Sequence, residues 1–312
     1  MKTALSGVVN WFGAFGDGSA EKAQARARAA GQQPGRQAMN AEALNDAPPT
    51  PVPDPPGAWT PARLRFVAAL WGEGYTGPGG DEEALRLSKP LGLQSSHSLL
   101  NLGAGTGGAA RAITLASGAW VSGYEQQPDL ALAASAISKK AQLEKKADIK
   151  PLDPAAPKFR ANYYQHALVQ EAFWTIENKP GVVAALVAAV KQAGQVVITD
   201  LTLGETPLDP SDATAKAWMR LDRNPVHLLG AKEETALLAK HGLDIRIAEE
   251  ISARHVAQAT ASWRSMVELL QQQRPSAQQA LTIVQEAELW LRRLALIRSG
   301  RLKLMRWHAI RR

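Results

Sequence analysis

One stretch constrains this chain more than any other: Leu99-Leu100-Asn101-Leu102-Gly103-Ala104-Gly105-Thr106-Gly107-Gly108. It reads as an apolar strand that runs into a glycine loop and then into an alanine-rich helix. Glycine lacks the side chain that would hold a ligand off, so the loop's backbone N–H groups can approach one closely, and the helix adds its positive N-terminus. A carboxylate, Glu125, ends the next apolar run, where it can accept hydrogen bonds from two neighbouring hydroxyls. Strand, loop, helix and acid together predict a nucleoside-ligand site at the carboxyl edge of a parallel sheet.

The remainder of the chain continues that pattern. Short apolar runs near 97–102, 119–124, 147–152, 164–169 and 195–200 alternate with Ala/Leu-rich helical patterns near 107–117, 128–145 and 180–193. Such alternation predicts an α/β protein with a mostly parallel sheet and helices on both faces. Upstream, Thr60 can cap a helix with Pro61 at its first position, and Leu64, Val67, Ala68 and Trp71 recur at helical spacing. A glycine-rich loop, Gly72 to Gly80, then leads to a short helix opened by Asp81, Glu82 and Glu83, where the helix dipole favours acids. After Asp200 the order changes to helices near 213–221 and 231–241, a strand near 243–249, two long helices and a last strand near 301–310. The long helices carry apolar stripes, Val256, Ala259, Trp263, Met266 and Leu270 and then Leu281, Val284, Ala287, Leu291 and Leu294. These stripes read as core, as do Trp120, Trp218, Trp263 and Trp290. Trp174, just past the fourth strand, is instead placed to line a pocket.

Composition removes several chemistries. The chain has no cysteine, which excludes disulfide scaffolds, thiolate metal sites and thiol nucleophiles and fits a reducing, cytoplasmic setting. Its six histidines lie too far apart for a helical metal-ligand pair, and no GxSxG elbow occurs. No apolar run approaches the roughly 18 residues of a spanning helix. The net charge of +7 is concentrated: eight basic residues fall in 291–312, a stretch with no acid. The rest is balanced, so the broad positive face of a nucleic-acid protein is not expected. The basic stretch is a candidate local contact for phosphate or an anionic membrane. Residues 1–57 stand apart, with Val8, Val9, Trp11, Phe12 and Phe15 ahead of a segment with prolines at 48, 49, 51, 53, 55 and 56. They are expected to be a flexible N-terminal segment with a proline-rich linker, residues 1–16 being a candidate peripheral-membrane or partner contact, and residues 58–312 the folded domain.

The glycine loop by itself admits two ligands. Gly103, Gly105 and Gly108 satisfy the GxGxxG of dinucleotide sites, while Gly103, Gly105 and Gly107 satisfy the GxGxG of S-adenosylmethionine sites. A dinucleotide fold needs two mononucleotide halves, and after the fifth strand this sequence supplies helices and a late terminal strand, so one half is present. With that, the chain resembles the class I S-adenosylmethionine-dependent methyltransferases over roughly residues 60–312, through the glycine loop, Gln170-Glu171-Ala172-Phe173, the segment Leu186 to Asp200 and the terminal strand. Three stretches look like the phosphoethanolamine and glycine/sarcosine N-methyltransferases: Trp71-Gly72-Glu73-Gly74-Tyr75 with Gly79-Gly80, Gln170 to Phe173, and Leu304-Met305-Arg306-Trp307.

The resemblance implies a Rossmann-like, seven-stranded sheet with an antiparallel terminal strand, S-adenosylmethionine as cofactor and a small-molecule acceptor, an amine or phosphobase-like nitrogen. It also implies roles. Gly103, Ala104, Gly105 and Gly107 would wrap the methionine and ribose, Glu125 and Gln126 would hold the ribose, and Asp153 matches the acid that takes the adenine amino group. Tyr75 falls where those enzymes place a substrate-facing tyrosine, and Glu171 where they place an aspartate near the reacting centre. The histidine they often carry four residues later is Thr175 here. An amine acceptor must lose its proton to react, and Tyr75, Glu171 and His227 are the candidate bases. Two other readings stay open: methylation of RNA or protein, and a methyltransferase fold kept as a non-catalytic membrane or interaction module.

Overall fold

The structure, a computed structural model, describes residues 58–222, 226–273 and 275–312. The expectations for residues 1–57 lie outside the described residues. Helix α1, Pro61–Trp71, begins where the sequence placed it: Thr60 Oγ1 accepts from the Arg63 N–H at 3.2 Å, and Pro61 takes the first helical position. Helix α2, Gly80–Ser88, carries the three acids in its first turn. Strands β1 (Ser98–Leu102), β2 (Trp120–Glu125), β3 (Ala147–Pro151), β4 (His166–Gln170) and β5 (Gln195–Leu203) are separated in sequence by α3 (Gly108–Ser117), α4 (Pro128–Lys140) and α5 (Lys179–Ala189). Helices α6 (Ala213–Asp222) and α7 (Ala231–Lys240), strand β6 (Leu243–Glu250), helices α8 (Ser252–Gln272) and α9 (Ala277–Arg298) and strand β7 (Leu302–Arg311) complete the described order.

The seven strands form one sheet in the order β3-β2-β1-β4-β5-β7-β6. Strands β1 to β5 pair in parallel, and β7 runs antiparallel between β5 and β6. The order reverses beside β1, so the connections that leave the carboxyl ends of β1 and β4 run to opposite sides and leave a crevice there, the position where open α/β sheets bind ligands. Helices α1, α8 and α9 pack above that edge around Trp71, Trp263 and Trp290, with the Trp71 and Trp290 ring centroids 4.6 Å apart.

Two expectations are corrected. Helix α4 stops at Lys140 rather than near 145, and Gln142, at φ 57°, turns the chain toward β3. Trp120 is not core: it is 47% exposed at the edge of β2, with the Lys146 ammonium 5.5 Å over its ring. The basic stretch 291–312 forms the end of α9 and an internal strand of the sheet. Its cations are largely engaged: Arg293 with Asp222, Lys303 with Glu205 and Glu250, Arg306 with Glu249, and Arg312 with Asp244. Among the described residues no helix is long and apolar enough to cross a membrane.

Candidate active site

The crevice holds a cavity of about 200 Å³ with two differently furnished ends. The first end is built from the β1 loop. Gly103 takes φ 74°, and a Cβ there would lie 2.3 Å from the carbonyl oxygen of Gln170, so glycine is what lets the ends of β1 and β4 come together. Gly105, at φ 55°, faces the cavity, and a Cβ on it would meet only Thr76, at 3.3 Å. Its N–H donates to Glu125 Oε2 at 2.8 Å, and the Gln127 N–H donates to Oε1 at 2.8 Å. Burial pushes the Glu125 carboxyl above its ordinary value, while those backbone donors pull it down. A carboxylate offers about four acceptor positions, so capacity remains here for a ligand hydroxyl.

The donor set therefore fits a ribose: a buried, doubly anchored carboxylate beside a strip of bare backbone. Ala104 and Gln126 line this end, and the Gln126 amide donates to the Thr175 hydroxyl. Gly107 does not line it; it stands at the head of α3, where a Cβ would lie 2.7 Å from Arg111 Nη1. Asp153 is exposed and outside the lining, its Oδ1 accepting from the Ala155 N–H at 3.0 Å, while its neighbour Leu152 lines the cavity.

The second end is roofed by the loop from Gly72 to Gly79 and by α1, α6 and α9. The Gly108 N–H donates to Gly74 O at 2.8 Å, which pins the loop onto the head of α3. Tyr75 lines the cavity and gives its hydroxyl to Asp81 Oδ1 at 2.6 Å; burial first, then Asp81, hold its pKa far above the usual phenol value. Glu171 also lines it. This residue sits just past β4 at φ 47°, a left-handed conformation uncommon outside glycine. Its N–H donates to Thr199 O at 2.7 Å, and its side chain stays 31% exposed. Glu171 Oε1 lies 3.9 Å from His255 Nδ1 and Oε2 lies 3.9 Å from Arg293 Nη1.

His227 is not brought to the cavity. Its N–H donates to Trp174 O at 2.8 Å and its carbonyl accepts from Lys179, so its backbone braces the wall from behind. Asp200 is wholly buried within β5, where burial and then Glu234 push its carboxyl well up against the opposing Lys179 ammonium.

Sequence reasoning missed most of the second end. Arg293 Nη2 bonds Asp222 Oδ2 at 2.7 Å, and the guanidinium lies 5.3 Å from the Trp174 ring and 5.0 Å from the Trp290 ring. Arg63 Nε bonds Glu286 Oε2 at 2.8 Å beneath Trp59, whose ring is 3.9 Å from the guanidinium. Glu286, Trp290 and Arg293 recur at helical spacing on the buried face of α9. Two charged residues set among apolar ones on one helical face were the available signal.

No family model matches this chain, and no curated protein does either. Solved structures do match. A Haemonchus contortus phosphoethanolamine N-methyltransferase 2, with phosphomonomethylethanolamine and S-adenosylhomocysteine, superposes at TM-score 0.66 and 19% identity over 80% of this chain and 56% of its own. This chain thus spans little more than half the length of that enzyme. A Galdieria sulphuraria protein described as a sarcosine dimethylglycine methyltransferase gives TM-score 0.62 and 19% identity over 80% of this chain and 97% of its own. The class I methyltransferase fold is therefore the fold of this chain. The geranyl diphosphate C-methyltransferase of Streptomyces coelicolor A3(2), solved with Mg2+, geranyl diphosphate and S-adenosylhomocysteine, shares that methyltransferase fold at TM-score 0.60 and 13% identity, over 81% of this chain and 99% of its own. Structures solved with phosphomonomethylethanolamine and with geranyl diphosphate share this fold, so the fold does not by itself specify a function.

Proposed function

We propose that this chain is an S-adenosylmethionine-dependent methyltransferase that acts on an amine nitrogen of a small molecule. The observation that carries the reading is a single cavity in which the Gly103–Gly105 loop and Glu125 furnish one end and Glu171 faces the other. When bound, the cofactor supplies a methyl group on a sulfonium, which leaves as a neutral thioether. Gly103, Ala104 and Gly105 offer the backbone surface for it, and Glu125 the acceptors for its ribose. Positioning is then the protein's main task, worth several kcal/mol as effective molarity. Glu171 can attract an ammonium, hold it beside the cofactor end and take up the proton that the nitrogen must shed to present its lone pair. Tyr75, with its hydroxyl committed to Asp81, serves better as a wall than as a base.

Titration calorimetry with S-adenosylhomocysteine and with NAD tests the cofactor half of this reading. Micromolar binding of the first and none of the second is expected; the reverse pattern overturns it. Transfer of a labelled methyl group to amine-bearing metabolites, with none to RNA or protein, is expected for the acceptor half.

A further inference from the structure

The second chamber carries more charge than one acceptor nitrogen requires, and its arrangement bears on what else the acceptor can contain. Two guanidiniums reach it, Arg63 and Arg293, and both would suit a phosphate or carboxylate if they were available. Neither is spare. Arg63 holds Glu286 at 2.8 Å with side-chain exposures of 12% and 3%, and Arg293 holds Asp222 at 2.7 Å with 11% and 6%. Turning either cation to an anionic ligand would leave a buried carboxylate without its counter-charge, which is strongly unfavourable. The guanidinium faces are occupied as well, by Trp59 at 3.9 Å and by Trp174 and Trp290 at 5.3 and 5.0 Å.

Three carboxylates, Glu171, Asp222 and Glu286, thus meet two cations, and Glu171 is the one whose nearest cationic neighbours stand 3.9 Å off. One of those neighbours, His255, is pushed toward its neutral form by burial, with Glu171 opposing. Besides these charged groups and a few amides and hydroxyls, the same cavity is lined by Trp59, Tyr75, Trp174, Leu289 and Trp290. Aromatic faces attract cations and pack flat apolar groups alike.

From this arrangement, and resting on the methyltransferase reading above, we infer that the acceptor is an amine carried on an apolar or aromatic body and lacking any phosphate or carboxylate. Glu171 binds its ammonium and the tryptophans bind its body. The two ion pairs act as a filter, because their cations are neutralised before any anionic acceptor arrives.

The test uses the full chain saturated with S-adenosylhomocysteine and calorimetric titration of 2-phenylethylamine, its uncharged counterpart 2-phenylethanol, phosphoethanolamine and sarcosine. The expected result is that 2-phenylethylamine binds at least tenfold more tightly than phosphoethanolamine or sarcosine. Glu171→Gln should weaken 2-phenylethylamine at least tenfold and leave 2-phenylethanol within about twofold, a contrast that loss of structure could not produce. Tighter binding of phosphoethanolamine or sarcosine, no binding of any amine, or a Glu171→Gln protein that still binds 2-phenylethylamine normally would each overturn the inference. Failure of S-adenosylhomocysteine to bind at the outset would instead sink the methyltransferase reading, so the two can fail separately.

Discussion

Glu125 owes its place to a local arrangement that the sequence displays openly: it closes β2, and both its oxygens accept from backbone N–H groups, of Gly105 and Gln127. Glu125→Ala removes the acceptors for a ribose and is expected to weaken S-adenosylhomocysteine by about 1–3 kcal/mol in calorimetry, the range for lost charge-assisted hydrogen bonds. Gly105→Val should abolish that binding, since it places a branched side chain at φ 55° on the cavity wall. If both variants bind like the wild type, the loop is structural. Glu234 offers a test of a different kind. Burial pushes its carboxyl up to about 7 against the pull of Lys179, while an unfolded glutamate titrates near ~4.3. Between those values the native state retains a proton that the unfolded chain has released, so this group's contribution to stability is full below about pH 4.3 and is lost as pH rises through 7. Glu234→Gln should therefore flatten the fall in urea midpoint between pH 5 and pH 8 and unfold later than the wild type at pH 8. Parallel curves for the two proteins would show that Glu234 is ionised in the native state across that range. Residues such as Glu234 and Asp222 could not be read from the sequence, because their environment is made by elements distant in the chain.

At the scale of elements the sequence was far more legible. The short apolar runs, the Thr60-Pro61 start and the acid-led turn of α2 depend on neighbours within a few residues, and their bounds fall within a few positions of those expected. The misses are packing decisions. Of the stripe expected on α9, Ala287 and Leu294 are fully buried and Leu291 packs against the same cluster, but Leu281 and Val284 are not among the buried residues and the buried face also carries Glu286, Trp290 and Arg293, whose charges are tolerable only because partners come from α1 and α6. The tryptophan cluster of α1, α8 and α9 is what holds the roof of the cavity. Trp263 is fully buried, with Trp71 at 6.3 Å edge-on and Phe66 at 5.9 Å. Trp263→Ala is expected to destabilise the protein by about 3–5 kcal/mol in chemical denaturation. A loss under about 1 kcal/mol would mean that the roof helices collapse onto the gap and that the cluster is not the support inferred for it.

At the scale of the whole molecule, charge and domain organisation have to be read together. The concentration of basic residues in 291–312 suggested a surface for anions, and the fold sets four of those eight cations, Arg293, Lys303, Arg306 and Arg312, beside acids from β6, α6 and the loop after β5. Residues 1–57 have the composition of a tether, with five apolar side chains ahead of a proline-rich spacer. Among the described residues the sheet runs from β1 at Ser98 to β7 at Arg311, and helix α1 is capped by Thr60. Trp59 and Arg63 line the cavity, so the folded unit has to begin before them. A chain starting at Gly57 is therefore expected to keep the melting temperature within about 1 °C and S-adenosylhomocysteine affinity within about twofold of the full protein, each under the shift that 1 kcal/mol produces. Sedimentation with vesicles of anionic lipid should fall on the same truncation, since each buried apolar side chain contributes at most about 1.5–3 kcal/mol to such a contact. Loss of cofactor affinity or of folding in the shortened chain would place part of residues 1–57 on the domain itself, and the boundary near residue 58 would have to move toward the N-terminus.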